Sequence, residues 1–137
     1  EIEKVCEIAG IHKEILKFKD QYNTMLGERG VNLSGGQKQR VCIARALVKK
    51  PKILIMDDCL SALDTETEEK IIKSLNEYIK DTTTIISSHR ISSIQNLDKI
   101  IVLNDGKIIQ KGSHEELINE NGYYKQLYFK QLTEKED

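Results

Sequence analysis

Leu33-Ser34-Gly35-Gly36-Gln37-Lys38-Gln39-Arg40 (LSGGQKQR) is the stretch on which the reading of this 137-residue chain turns. Ser34 followed three residues later by Gln37 is a capping box, and Gly35 and Gly36 stand inside the first turn of the helix it opens. Val41, Ala44, Leu47 and Val48 continue that helix with apolar residues at helical spacing. Its dipole adds positive potential at the Ser34 end, and the two glycines let an incoming group approach the main chain closely. The combination reads as an anion site, with phosphate as the best-fitting ligand. The plainer alternative is a capped core helix with a glycine-rich start.

Downstream, Pro51 is the only proline and is expected to end this helix. Residues 52–58 (KILIMDD) form a short continuous apolar run closing on two carboxylates, the pattern of a buried parallel strand. Ligands of open α/β sheets sit beyond the C-terminal ends of such strands. Asp57 is therefore placed to hold a Mg²⁺, and Asp58 to act on the next oxygen out. A solvated acidic turn is the alternative for the pair taken alone. Residues 61–64 (SALD) read as a short loop, and Thr65 with Glu68 as a second capping box. Ile71, Ile72, Leu75, Tyr78 and Ile79 form a core-facing stripe. Residues 82–87 read as a second buried strand ending at Ser88-His89-Arg90. His89 thus emerges at the same sheet edge as Asp57 and Asp58, as a candidate phosphate contact.

Upstream, Ile2, Val5, Cys6 and Ala9 share a helical face that Gly10 stops, and Ile11, Ile15, Leu16 and Phe18 suggest a second short helix. Residues 20–26 read as loop, and Gly27-Glu28-Arg29-Gly30 as an exposed, charged turn. Beyond His89, the pattern gives a short helix over 92–97 and a strand over 99–103. A hairpin turn at Asn104-Asp105-Gly106 and a returning strand over 107–110 follow. Ser113 and Glu116 cap a further helix, a break falls near Asn121-Gly122, and 123–132 is an amphipathic helix built on Tyr124, Leu127 and Tyr128. The tail 133–137 is expected to fray, and His12 and His114 to lie on the surface.

Composition narrows the class. With 39% hydrophobic residues, 31% charged residues and a formal net charge of −1, the chain fits one soluble α/β domain and offers no electrostatic case for non-specific nucleic-acid binding. Its apolar runs are too short to cross a bilayer, and no signal peptide is expected of a chain that opens on Glu1 inside a helical pattern. Cys6, Cys42 and Cys59 show no C-x-x-C spacing, so neither a disulfide framework nor a zinc site is indicated and a reducing, cytosolic setting is expected.

Taken together, GERG (27–30), LSGGQKQR (33–40), ARAL (44–47), ILIMDD (53–58), SALD (61–64), SHR (88–90) and NDGKIIQKGSHEEL (104–117) resemble the nucleotide-binding domains of ATP-binding cassette transporters, exporter type, over essentially the whole chain. The resemblance implies a P-loop NTPase-like (RecA-like) α/β core with a mainly parallel sheet and flanking helices. Residues 1–45 would be part of the helical signature subdomain and 46–137 the C-terminal part of the core. It further implies that Ser34, Gly35, Gly36 and Gln37 touch ATP bound on an opposing subunit. Asp57 would serve as the Mg²⁺ carboxylate, Asp64 would lie in a loop reporting across the dimer, and His89 would contact the γ-phosphate. Glu28 and Arg29 would press on the membrane domain, which places the chain at the cytoplasmic face of a membrane. Two departures matter. No Gly-x-x-x-x-Gly-Lys-Ser/Thr occurs, so the chain reads as an incomplete cassette that alone neither binds ATP tightly nor hydrolyses it and that tends to self-associate. Asp58 stands where the family usually has glutamate, which points to the weak site of a heterodimeric exporter or to a working site in a homodimer. Competing readings are a cassette-type ATPase head of a DNA-repair or chromosome protein, and a non-catalytic partner subunit. The compact spacing from Arg40 to Asp57 and the absence of heptads oppose the first of these.

Overall fold

Helix ends and strand pairings follow from local chemistry in most of the chain. The computed structural model describes residues 1–27 and 31–136, so the expected contact role of Glu28 and Arg29 lies outside the described residues. The chain divides into two compact units, Glu1–Ser87 and Ser88–Asp137.

In the first unit, α1 (Ile2–Ile8) stops where expected. Gly10 is left-handed (φ 69°), its N–H donates to the Glu7 carbonyl and the Ile11 N–H to the Cys6 carbonyl, which is a Schellman closure. A short α2 (His12–Ile15) and a single 3-10 turn at Gln21–Asn23 lead towards α3 (Gly35–Leu47). That helix ends before Pro51: Val48 is its C-cap, and Lys50 turns left-handed (φ 48°). The proline therefore follows the stop instead of making it. Next come β1 (Ile53–Asp57), α4 (Thr65–Tyr78) and β2 (Thr83–Ser87), a β-α-β unit whose strands pair in parallel from Ile53 opposite Thr83 to Asp57 opposite Ser87. This is the α/β core that the apolar runs announced. The core of the unit packs Val5, Ala9, Ile43, Leu47, Leu54, Met56, Ile71 and Leu75 together. Apart from the smaller Ala9, each of these buried side chains contributes about 1.5–3 kcal/mol.

Two expectations change here. The strands are covered on one face only: Leu54 and Met56 are buried, whereas Ile53, Ile55 and Ile85 are 61%, 69% and 56% exposed. A continuous apolar run signals burial on both faces, but the helices of this unit supply packing to one. The N-cap of α4 is also Asp64, not Thr65. The Asp64 carboxylate accepts the Thr67 N–H at 2.9 Å, and Glu68 lies buried in the first turn. Asp outranks Thr as a cap, and the register shifts by one.

In the second unit, a 3-10 turn at Ile91–Ser93 replaces the expected helix over 92–97. Strands β3 (Ile100–Asn104) and β4 (Lys107–Gly112) pair antiparallel around Asp105 and Gly106, both at positive φ, as the tight right-twisting hairpin turn requires. Helix α5 (His114–Asn119) has the predicted Ser113–Glu116 capping box, with both reciprocal bonds made. Helix α6 (Tyr123–Glu136) continues through most of the tail expected to fray. Tyr124 of α6 and Leu117 of α5 share a core with Ile91 and Ile100. Neither histidine expected on the surface is a bare surface group: His12 Nδ1 meets the Tyr22 hydroxyl at 2.7 Å, and His114 Nδ1 the Tyr124 hydroxyl at 2.8 Å.

Candidate functional site

The start of α3 is the best-built feature of the first unit. Ser34 Oγ accepts the Gln37 N–H at 3.2 Å, and Gln37 Oε1 accepts the Ser34 N–H at 2.9 Å, so the predicted capping box is complete. The N–H groups of Gly35 and Gly36 belong to the first turn, which has no intrahelical acceptors. Ser34, Gly35 and Gly36 line an open pocket of about 500 Å³ together with Glu14, Arg40, Leu63 and Asp64. Four of the candidate residues thus share one concavity, with Gln37 bracing its rim.

Three residues that carried no role in the sequence reading hold the pocket in shape. Gln39 staples the loop after β1 to α3. Its Oε1 accepts the Ala62 N–H at 3.0 Å, and its Nε2 donates to Ser61 Oγ at 3.1 Å and to the Asp58 carbonyl at 3.4 Å. Gly36 is pressed against the same loop: a Cβ there would lie 3.1 Å from Leu63 Cδ2 and 3.2 Å from the Ala62 carbonyl oxygen. One of the two glycines is therefore required by packing within the chain, whatever else approaches it. On the other side, Glu14 accepts from Gln37 Nε2 at 2.6 Å through one oxygen and pairs with Arg40 Nη1 at 2.6 Å through the other. Arg40 also donates to the Gly10 and Gly36 carbonyls. A carboxylate only accepts, so Glu14 fixes which end of the Gln37 amide faces it and thereby directs Oε1 at the Ser34 N–H. Gln39 and Arg40 lie inside the signature stretch, but Glu14 stands 23 residues before Gln37, where no local pattern marks it.

Burial pushes the Glu14 carboxyl up, yet the hydrogen bonds from Gln37 and Arg40 outweigh it and hold the group below the usual carboxylate range. Its stabilising contribution is therefore complete above the ordinary glutamate value, about 4.3, and is lost as pH falls through the lower folded value. Glu14→Gln is expected to cost about 1.5–3 kcal/mol at neutral pH, the range for hydrogen bonds to a charged group. The variant should also lose less stability than the parent on acidification. Urea melts of both at pH 7 and at pH 3.5 check this, and parallel acid losses would rule out the carboxylate as the stabilising group. The Asp64 carboxyl is likewise held low, by the Thr67 backbone N–H it caps.

At the end of β1, Asp57 is exposed, and its Oδ1 accepts from Ser87 Oγ at 2.7 Å. Asp58 follows in left-handed conformation (φ 47°), its N–H bonded to the Ser87 carbonyl at 3.1 Å and its carbonyl accepting from Ser61 Oγ at 3.0 Å. The carboxylate pair and the signature helix thus belong to one hydrogen-bonded frame through Gln39. His89 is exposed and belongs to the second unit, two residues beyond the end of β2. Among the described residues no group of three or more His, Cys, Asp and Glu side chains is arranged to hold a metal.

The family model for the ABC transporter matches residues 5–61, from α1 through the signature helix to the loop after β1. A solved structure of a bacterial Atm1-family ABC exporter with ATP bound superposes on 96% of this chain with a TM-score of 0.88 and 41% identity. The chain belongs to the ATP-binding cassette family. Among curated relatives, the multidrug resistance-like ATP-binding protein MdlA of Buchnera aphidicola subsp. Schizaphis graminum is 50% identical over 137 residues, covering 99% of this chain and 24% of its own length. ATP-binding cassette sub-family B member 6 of Xenopus tropicalis is 47% identical, covering 97% of this chain and 16% of its own length. The chain thus spans about a quarter or less of the proteins it matches, and 23% of the solved exporter chain. Among the described residues no helix is long and apolar enough to cross a membrane. The α/β cassette fold inferred from the motifs is the fold of this family.

Proposed function

We propose that this cassette segment works in the ATP-hydrolysing motor of an exporter, where its signature helix completes the ATP site of an opposing nucleotide-binding domain. The observation that carries the reading is the capped start of α3, held open by Glu14 on one side and stapled by Gln39 to the loop bearing Asp58 and Asp64 on the other. Ser34 Oγ already accepts from the main chain, so its hydroxyl proton remains to be donated to a phosphate oxygen. The Gly35 and Gly36 N–H groups point the same dipole end at that charge. In the site of its own subunit, the exposed Asp57 carboxylate would offer a hard oxygen donor of the kind Mg²⁺ takes, alongside waters and substrate phosphates. When bound, Mg²⁺ would neutralise charge developing on the phosphates. Asp58 would orient the attacking water and His89 would contact the γ-phosphate. Asp64, committed to its own helix cap, would transmit the state of the site across the dimer. Glu28 and Arg29 would meet the membrane domain, which puts the chain at the cytoplasmic face.

Asp58 favours a second reading within the same class: it is one methylene shorter than the family's usual glutamate, which suits the weak site of a paired exporter. The cassette heads of DNA-repair proteins fit less well, because residues 40–57 hold no coiled-coil insertion and the net charge is −1. The isolated 137 residues contain no phosphate-cradling Gly-x-x-x-x-Gly-Lys-Ser/Thr and are expected to give no micromolar Mg-ATP binding by calorimetry. The bare face of Ile53, Ile55 and Ile85 supports self-association of that isolated chain.

Mixed dimers of the full-length exporter test the completion in trans. With Ser34→Arg on one subunit and Asp57→Asn on the other, both lesions fall in a single composite site and one site survives. With both lesions on one subunit, each site carries one. Retained hydrolysis in the first arrangement and loss in the second is the expected result, and the reverse would place the signature in its own subunit's site.

A further inference from the structure

In the second unit the carboxamide of Gln131, on α6, grips one short stretch of backbone with both of its ends. Its Nε2 donates to the His89 carbonyl at 2.7 Å, and its Oε1 accepts the Ile91 N–H at 2.9 Å. One donor and one acceptor on a planar amide fix the chain on either side of Arg90, much as a neighbouring strand would. Bonds inside the turn do something different. The Arg90 N–H donates to Ser88 Oγ at 3.0 Å, and Ser88 Oγ lies 3.3 Å from Ser93 Oγ. They set the curl of the loop, and neither involves an atom of His89. Gln131 itself sits on firm ground: Tyr124, Tyr128 and Gln131 fall on one face of α6, and Tyr124 is 2% exposed in the core it shares with Ile91. The exposed imidazole of His89 therefore projects from a peptide held to the core by a side chain more than forty residues on.

We propose that Gln131 is a positioning residue for His89, fixing the backbone from which the histidine meets the γ-phosphate. The inference rests on the reading of His89 given above. Gln131 touches neither nucleotide nor reacting atoms and acts only through the loop. A main-chain shift of about 1 Å at a catalytic contact can lower a rate up to about a hundredfold, while nucleotide affinity, set by other contacts, stays.

Steady-state ATP hydrolysis by the full-length exporter carrying this chain tests it, with Gln131→Leu, Gln131→Glu, His89→Ala and the His89→Ala/Gln131→Leu double variant. Gln131→Glu keeps size, helix propensity and the acceptor for Ile91 but sets a carboxylate oxygen against the His89 carbonyl. It therefore separates loss of the grip from loss of fold. Both single Gln131 variants should lower kcat about ten- to a hundredfold, with KM for ATP within about twofold. Adding Gln131→Leu to His89→Ala should give no further loss, since the two act as one unit. Unchanged kcat in Gln131→Glu, or full additivity in the double variant, overturns the proposal. If His89→Ala alone leaves hydrolysis intact, the reading of His89 fails and the inference falls with it. If His89→Ala is slow and Gln131→Glu is not, the inference alone fails.

Discussion

Valine at Gly36 is expected to lower ATP hydrolysis by the full-length exporter about a hundredfold, whereas alanine there should lose about tenfold or less. The two differ in what they push. An added Cβ lies 3.1 Å from Leu63 Cδ2 and 3.2 Å from the Ala62 carbonyl oxygen, so alanine needs its neighbours to give by only a few tenths of an ångström. The branched Cγ atoms of valine need much more, and one of the yielding groups is main chain. What moves is the loop from Asp58 to Asp64, because Gln39 ties Asp58, Ser61 and Ala62 to the next turn of the same helix. Signature helix and acidic loop would separate together, and the pocket between Ser34 and Asp64 would change shape. Overpacking of this kind costs about 1–3 kcal/mol, which folded protein tolerates but a catalytic constellation does not. Hydrolysis rates of the two variants, with melting curves alongside, check the gradation. Equal activity of the valine variant and the parent would mean that this contact is not kept in the working assembly.

That contact also shows what the sequence could and could not convey. The capping box at Ser34, the stop at Gly10 and the hairpin at Asp105-Gly106 were legible because each is settled within a few residues by backbone hydrogen bonding and sterics. Strands β1 and β2 were legible as a pattern but not in their burial, since an apolar run records an affinity for cover and not which face receives it. The cap of α4 slipped by one residue because Asp64 and Thr65 are both competent caps and only geometry chooses. Ser34, Gly35, Gly36 and Asp64, which line one pocket, were named as candidates from motifs. The side chains that hold them, Glu14 above all, were not: a bond between residues 14 and 37 leaves no trace in local periodicity. Gln39 and Arg40 stood in the quoted stretch, yet nothing in their spacing says that one reaches forward to Ala62 and the other back to Gly10. The clamp from Gln131 to His89 is of the same kind.

Asp58→Glu is expected to raise ATP hydrolysis by the full-length exporter about tenfold or more while slightly lowering its stability. The main chain of Asp58 is fixed from both sides, by the Ser87 carbonyl and by Ser61 and Gln39, so the reach of its carboxylate is set by side-chain length alone. One more methylene advances the carboxylate by about 1.5 Å, a step larger than the roughly 1 Å that catalytic positioning tolerates. The stability change comes from the backbone. At φ 47° Asp58 occupies the left-handed region, which aspartate enters more readily than glutamate because its short side chain bonds locally. The substitution should cost up to about 1 kcal/mol there. Opposite signs for activity and stability are thus the signature of a site whose carboxylate is too short for its task but well suited to its backbone. Unchanged hydrolysis would sink the weak-site reading. A loss would show that aspartate is the working length here, and the chain would then serve a site that hydrolyses in its own right, as in a homodimer.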